Sequence, residues 1–509
     1  MLAVAHACAV VGIDGIPVAV QVDFNPRAHT PSFTIVGLPD NAVRESRERV
    51  RTSIRNSSLQ FPLKVYTVNL SPADLPKHST AYDLAIAVGI LAATDQTPLE
   101  ALDGAMFVGE LNLDGRVGHV QGVLPMAITA RDNGFTTLYV PKEDAPQAAL
   151  IQGINVIPVK TLGQLIEHFY GMNKIAPLVL DPAEETSRPL PADVVDFSDI
   201  KGQQQVKRAL EIAAAGGHNL RMVGSPGCGK TLLARAMPTI LPRLSLEEAL
   251  EVTRIYSVSD MMPPGESLIQ QRPFQAPHHT ISKHGLVGGG TIPRPGAVSL
   301  CHRGVLFLDE AVEFPTAVLE LLRQPMEDRC VTISRVKGSV TFPANFVLVM
   351  AHNPCACGYL GDSRIPCTCA PSMIERYRAK LSGPLLDRID IHLNVKRVDY
   401  DKLMSSEQAE SSAVVRERVE RARARQRVRF AGQAGVYCNS DMDAGLVQRC
   451  APMTDEAKKV LDASARKMAL SARAYHRMIK LALTIADLAA HERIEVVDVA
   501  EALQYRLER

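Results

Sequence analysis

The chain has no tryptophan, and aromatic residues fill only 5% of its 509 positions. So few rings argue against broad surfaces on which bases stack. An excess charge is missing as well: 56 Lys and Arg stand against 55 Asp and Glu, a net +1. Nothing global draws the chain to a polyanion, so any such contact must come from local patches. No uncharged run is long enough to cross a bilayer. The stretch Met1-Leu-Ala-Val-Ala-His-Ala-Cys-Ala-Val-Val is apolar but lacks a basic start. It is therefore expected to be a strand rather than a signal peptide. The ten cysteines are not spread as a disulfide framework: Cys228 lies in a glycine-rich loop, and four crowd between 355 and 369. This spacing points to a reducing, cytoplasmic setting. Hydrophobic content is 46%, enough for a large core, and the length allows about three domains of ~150 residues.

What is present is organised around Met222-Val223-Gly224-Ser225-Pro226-Gly227-Cys228-Gly229-Lys230-Thr231. It fits G-x-x-x-x-G-K-[ST], with an apolar approach and a helical pattern after it, the setting of a phosphate loop. Gly224, Gly227 and Gly229 free the backbone to turn its N–H groups inward around phosphates, with Ser225, Pro226 and Cys228 completing the wrap. Lys230 is expected on the β- and γ-phosphates and Thr231 on Mg²⁺. Val305-Leu306-Phe307-Leu308 then runs into Asp309 and Glu310. It reads as a buried parallel strand delivering two carboxylates where ligands bind in open α/β sheets. Asp309 suits the Mg²⁺ shell, and Glu310 suits polarising the attacking water. The two motifs together predict ATP binding and hydrolysis.

Around this centre four segments are expected. Residues 1–170 alternate between strand and helix patterns: strands at Val18–Phe24, Phe33–Leu38 and Lys64–Leu70, a helix from Asp40 to Asn56 with Asp40 as N-cap, and an apolar helix from Tyr82 to Ala93. A hairpin turning at Asp114-Gly115, a helix from Leu124 to Gly134 and a last strand at Thr137–Pro141 follow. Residues 171–197 include a Pro-rich polar stretch that reads as a linker. Residues 198–395 hold the nucleotide motifs. Residues 396–509 read as helices over 414–430, 454–467, 472–488 and 496–507. The first of these carries Arg416, Arg418, Arg421, Arg423, Arg425, Arg427 and Arg429 around more than one face, which is expected to be solvated. Pro315–Glu327 is expected to be a helix. Cys330–Phe342 reads as a hairpin with the basic tips Arg335 and Lys337.

Cys355-Ala-Cys357 and Cys367-Thr-Cys369 bracket a loop rich in Gly and Pro. Four thiols in that arrangement predict a tetrahedral structural Zn²⁺ site with no open coordination position. His278, His279 and His284 lack a carboxylate or cysteine partner that would complete a metal shell.

Several stretches resemble known families. Gly109-Glu-Leu-Asn-Leu-Asp-Gly-Arg-Val and Leu75-Pro-Lys-His-Ser-Thr-Ala-Tyr-Asp resemble the Lon protease domain, with a ribosomal S5 domain 2-like fold. The Lon serine falls at about Thr80 or Ala81 and its lysine at Leu124, which cannot deprotonate a nucleophile. Ser79 and Thr80 are therefore expected to start a helix, and the domain to be non-proteolytic. Phe197-Ser-Asp-Ile-Lys-Gly-Gln resembles the segment that lies against adenine in AAA+ ATPases, implying that role for Ile200 and Gly202. The stretch around Lys283-His284-Gly resembles the pore insert of the magnesium-chelatase and MCM branch, which implies DNA contact by Lys283, Arg335 and Lys337. Phe346–Asn353 resembles the strand bearing a water-positioning Asn353. Ser382-Gly-Pro-Leu-Leu-Asp-Arg388 resembles the segment of an arginine finger that serves a neighbouring subunit, and Ser471-Ala-Arg473-Ala-Tyr-His-Arg477 resembles the second sensor, placing Arg473, or else Arg477, on bound phosphates. End to end, the chain resembles the ComM/YifB family of magnesium-chelatase-like AAA+ ATPases. That resemblance implies a Lon-like domain, a parallel-sheet AAA+ core, a helical lid and a homo-hexamer using ATP and Mg²⁺. It also implies a DNA motor acting on single-stranded and branched DNA, with recombination proteins as partners, in branch migration during homologous recombination and natural transformation. Magnesium-chelatase-type or other protein remodelling is the alternative.

Overall fold

In a computed structural model of the chain, residues 1–509 are described except 76, 78, 183–184, 186–194, 336–337, 399–408, 434 and 507–509, and at 335 and 338 the backbone alone. The chain divides into two units, Met1–Arg188 with Ser245–Ile269, and Pro189–Leu244 with Gln270–Arg509. Ser245–Ile269 thus leaves the segment that holds the nucleotide motifs and packs with the first unit. Within the linker 171–197, residues 183–184 and 186–194 lie outside the described residues.

In the first unit, alternation of side chains builds a four-stranded sheet. Leu2–Val11, Asp14–Asn25 and Val65–Ser71 pair antiparallel, and Ser32–Val36 adds parallel to the last. Ala3, Ala5, Ala7, Val18, Val20 and Val22 are buried at period two. Asn41–Asn56 begins where the Asp40 side chain accepts the Val43 N–H at 2.9 Å, the expected N-cap. Asp83–Ala93 is apolar all round, and every one of its residues is buried. The hairpin expected at Asp114-Gly115 is present as Glu110–Leu111 against Val117–Gly118. Thr137–Pro141 is not the last strand: Asn155–Val159 follows and completes a three-stranded parallel sheet with Ala105–Phe107. Pro158 obscures it in the sequence. Leu124 is fully buried in the helix Val123–Asp132. The Ser79 hydroxyl accepts the Ala81 N–H, a helix-start role, and the Thr80 hydroxyl donates to Glu110 at 2.6 Å.

The inserted helix Leu246–Ser259 is opened by a Ser245/Glu248 capping box. It docks through Ser257, whose carbonyl accepts the Gly122 N–H, and Arg254, whose Nε donates to the Ile13 carbonyl at 2.6 Å. Just beyond it, Asp260 Oδ1 lies 3.3 Å from His119 Nε2, while His119 Nδ1 pairs with Asp144. Asp144 first and Asp260 second hold the imidazole charged, raising its pKa to about 9. A pKa raised on folding stabilises fully below the unfolded value of 6.5, and that stabilisation is lost as pH climbs through about 9. The calorimetric melting temperature is therefore expected to fall over this window, and His119→Gln to flatten the fall.

The second unit is built on a five-stranded parallel sheet in the order Phe274–Gln275, Val305–Leu308, Val347–His352, Leu220–Val223, Ile391–Asn394. The three middle strands are mainly apolar, with Arg221 and His352 the polar exceptions: Val305–Leu308 and Val347–His352 are buried throughout, and Leu220–Val223 is buried up to a half-buried Val223. Phe274–Gln275, only two residues beside Pro273, gives no periodic signal in the sequence. The expected helix Pro315–Glu327 is three short turns, Thr316–Leu319, Glu320–Leu322 and Arg323–Asp328. Pro325 lacks the N–H needed to continue one ladder through it.

The helical region contains Ser412–Arg429, Ala444–Cys450, Asp455–Lys467, Ala472–Ala489 and Val496–Gln504. The arginine-rich helix is not solvated. Arg416 donates to Thr239 O, Arg423 to Ala214 O, and Arg425 to Ala490 O and His491 O. These carbonyls lie at the C-terminal ends of three helices, Lys230–Ile240, Gln204–Gly216 and Ala472–Ala489, where unpaired acceptors and the negative end of the dipole favour a cation. Arg418 pairs with Glu211 and Glu410, and Arg429 with the buried Asp487. Of the seven arginines, Arg421 and Arg427 alone are exposed.

Candidate nucleotide site

Leu220–Val223 lies between Val347–His352 and Ile391–Asn394. In open parallel α/β sheets ligands bind beyond the carboxyl ends of the strands. Residues 224–229 fill that position. Gly224 N–H donates to His352 O at 3.2 Å, and a Cβ at 224 would stand 2.4 Å from Val395 O, so the backbone approach excludes any side chain. Gly227 and Gly229 have φ of +77° and +91°, conformations that glycine adopts without strain. The helix Lys230–Ile240 starts from Gly229, so its free N–H groups face the loop.

Lys230 is 9% exposed and donates to Gly224 O at 2.7 Å, Ser225 O at 3.1 Å and Asn353 Oδ1 at 3.2 Å. The Thr231 hydroxyl donates to Asp309 Oδ2 at 2.7 Å. Mg²⁺ takes oxygen donors, typically one or two from protein beside the phosphates. A hydroxyl and a carboxylate in mutual contact next to the loop fit that requirement. Asp309 Oδ1 accepts the Glu310 N–H at 3.0 Å. Glu310 is exposed, at a left-handed φ of +50° that bends the chain sharply as it leaves the strand. Lys230, Thr231, Asp309, Glu310 and Asn353 are thus gathered on one edge of the sheet. Ile200 is buried, and the backbone at Gly202 passes Val398 closely, with Cγ1 3.2 Å from an ideal Cβ. The neighbouring Gln203 amide donates to Cys228 O and Lys396 O, which ties this lead-in to the loop.

Arg388 and Arg473 stand elsewhere. Both donate to a single carboxylate oxygen of Glu327, Arg388 at 2.6 Å. Their two cations hold the Glu327 carboxyl below its ordinary range, Arg388 foremost. They line a cavity of about 390 Å³ with Arg477, Lys480 and Asn219. Asn219, Asn345 and Asp390, also on its wall, precede strands that run to the phosphate loop's side. The arginines therefore occupy the amino edge of the sheet and the phosphate loop its carboxyl edge, roughly 10 Å apart along a four-residue strand. Arg477 donates to Ile389 O at 3.0 Å. Glu327 carried no signal in the sequence, because its partners are 61 and 146 residues away.

The four cysteines converge. Their sulfurs lie within 4.8 Å of one another, and among the described residues they are the group of His, Cys and carboxylates close enough to hold a metal. A tetrahedral Zn²⁺ with Zn–S of about 2.3 Å sets sulfurs about 3.75 Å apart. Here Cys355–Cys357, Cys357–Cys367 and Cys355–Cys367 are 3.4, 3.6 and 3.7 Å apart. The donor set fits. Backbone N–H groups of Tyr359 and Thr368 bond the Cys357 sulfur and hold that thiol well below its usual range.

Of the residues expected on DNA, Lys283 is exposed at the start of the short helix Lys283–Val287. Cys330–Arg335 pairs antiparallel with Gly338–Pro343 as the expected hairpin. Lys337 and the Arg335 side chain lie outside the described residues.

Three stretches match the magnesium chelatase subunit ChlI family: residues 20–144 and 196–403 match its ChlI descriptions, and 409–506 its C-terminal description. Competence protein ComM of Haemophilus influenzae is 41% identical over 99% of this chain and 97% of its own length. An uncharacterised protein of Mycobacterium tuberculosis is 40% identical over 99% and 98%. The uncharacterised protein YifB of Escherichia coli is 38% identical over 99% and 97%. With a phosphate loop on a parallel α/β sheet and likeness running the full length, the chain belongs to the ComM/YifB family of magnesium-chelatase-like proteins.

Proposed function

We propose that this chain is an ATP-driven motor on DNA, a hexameric ring that promotes branch migration in homologous recombination and natural transformation. The observation that carries the reading is the separation of Arg388 and Arg473 from Lys230 across one sheet. Arginines at the amino edge do not serve the phosphate loop of their own subunit, and a head-to-tail ring brings that edge to the next subunit's ATP. The relationship to a competence protein supports the biological setting.

In this scheme Lys230 and the N–H groups of 224–229 bind and orient the phosphates. Thr231 and Asp309 would hold Mg²⁺, which would supply neutralisation of phosphate charge. Glu310 takes the proton of the attacking water, which Asn353 positions, and Ile200 and Gly202 border the adenine. Arg388 and Arg473 leave Glu327 for the γ-phosphate of the adjacent subunit. Lys283, Arg335 and Lys337 contact DNA phosphates in the pore. Two or three cations per subunit, repeated around a ring, give strong salt-sensitive binding despite a net charge of +1. The first unit acts as a non-proteolytic accessory, since Leu124 stands where a dyad needs lysine.

The test is a labelled three- or four-strand DNA junction incubated with protein, ATP and Mg²⁺. Wild type is expected to move the junction, Lys230→Ala to fail, and Arg335→Ala/Lys337→Ala to lose DNA stimulation while keeping basal hydrolysis. Hydrolysis without any DNA binding or stimulation would turn the reading to protein remodelling of the magnesium-chelatase type, which the ChlI likeness favours as the second choice.

A further inference from the structure

The loop between the two cysteine pairs touches the phosphate loop at two points, and Arg397 bridges the two loops. Gly358, at φ +86°, lies so close to Pro226 that an ideal Cβ would meet its ring at 2.8 and 2.9 Å. The Asp362 carboxylate accepts the Ser225 hydroxyl. Arg397 binds both partners: its Nε is 3.2 Å from Asp362 Oδ2, and its Nη2 donates to Pro226 O at 3.2 Å. The Asp362 side chain is 2% exposed and is further tied to the N–H groups of Arg364 and Ile365 at 2.9 and 3.1 Å. Upstream, Asn353 is two residues from Cys355 and accepts from Lys230.

No helix or strand organises residues 353–370. A segment without a hydrogen-bonded ladder keeps one conformation only if something else removes its freedom. Four thiolates on one ion would do that here: they would close the segment at both ends and fix Gly358 and Asp362 between them. Pro226 and Ser225, in turn, shape the turn whose N–H groups face the phosphates. Soft thiolate ligands select Zn²⁺ over the Mg²⁺ that accompanies ATP, so the two ions do not compete.

We propose that the metal centre of Cys355, Cys357, Cys367 and Cys369 is the buttress of the phosphate loop, so that the affinity of this chain for ATP depends on whether the centre is filled. The inference rests on the reading of residues 224–231 as an ATP site. Asp362 and Arg397 are positioning residues that carry the effect, and neither touches the nucleotide.

The experiment measures zinc by atomic absorption and the Kd of a fluorescent ATP analogue by titration on the full chain, with circular dichroism to check folding. Protein as isolated is expected to hold one Zn²⁺ per chain. Removal by a zinc-selective chelator is expected to weaken the analogue at least about tenfold, and ZnCl2 to restore it. Gly358→Ala and Asp362→Asn are expected to weaken it with zinc retained, an outcome that general unfolding does not produce. If zinc leaves and Kd is unchanged, or if the chain takes up no zinc, the proposal is overturned while the ATP site stands. If the zinc-loaded chain binds no nucleotide, the ATP reading itself fails, and the buttress with it.

Discussion

Arg388→Ala is expected to lower ATP turnover about 10³-fold or more, the scale on which an arginine supplied across an interface contributes. That corresponds to about 4 kcal/mol of transition-state stabilisation. Nucleotide affinity is expected to change far less, because an arginine supplied across an interface acts mainly on charge that develops in the transition state. Folding is expected to survive. Glu327, the partner left behind, is 40% exposed and keeps Arg473, so its carboxylate is neither buried nor unpaired. Steady-state hydrolysis alongside titration of a nucleotide analogue separates the two quantities. A substitution that weakens binding as much as turnover, or that leaves turnover intact, removes Arg388 from the site.

Glu310→Gln is expected to lower turnover about 10²- to 10⁴-fold, the range for loss of a general base. It should leave binding intact, since glutamine keeps the shape and the Glu310 N–H continues to donate to Asp309. Nucleotide then stays bound without being hydrolysed, and single-turnover kinetics would show the loss in the chemical step. Mixed with Arg388→Ala, this variant also tests the ring. Each inert chain carries what the other lacks: an intact Glu310 in one and an intact Arg388 in the other. In randomly mixed head-to-tail rings about a quarter of the interfaces combine both intact groups. The mixture is therefore expected to regain activity that neither variant has alone. Additive inactivity would mean that Arg388 works within its own subunit or not at all.

What was legible in the sequence was local. The glycines of 224–229, the Lys230–Thr231 pair and the carboxylates ending Val305–Leu308 announce themselves because turn dihedrals and strand periodicity are properties of neighbouring residues. So do the Asp40 cap and the two Cys-x-Cys pairs, which the fold gathers within 4.8 Å. The arginines of Ser412–Arg429 show where this kind of reading ends. Spread around a helix they predict a solvated surface, yet five of them bind carbonyls or carboxylates on other helices. Periodicity along one helix says nothing of the ends of its neighbours.

The sequence by itself determined that the glycines of 224–229, Lys230 and Thr231 stand side by side at a loop opening a helix, because this needs only adjacent residues in the right conformations. Tertiary structure alone decided that Arg388 and Arg473 meet at Glu327, that Ser245–Ile269 belongs to the first unit, and that Asp362 from the cysteine loop and Arg397 beyond it grip Ser225 and Pro226. Those contacts join residues up to 241 positions apart. They depend on which edges and faces the packed sheet and helices bring together, and no local pattern of side chains encodes that.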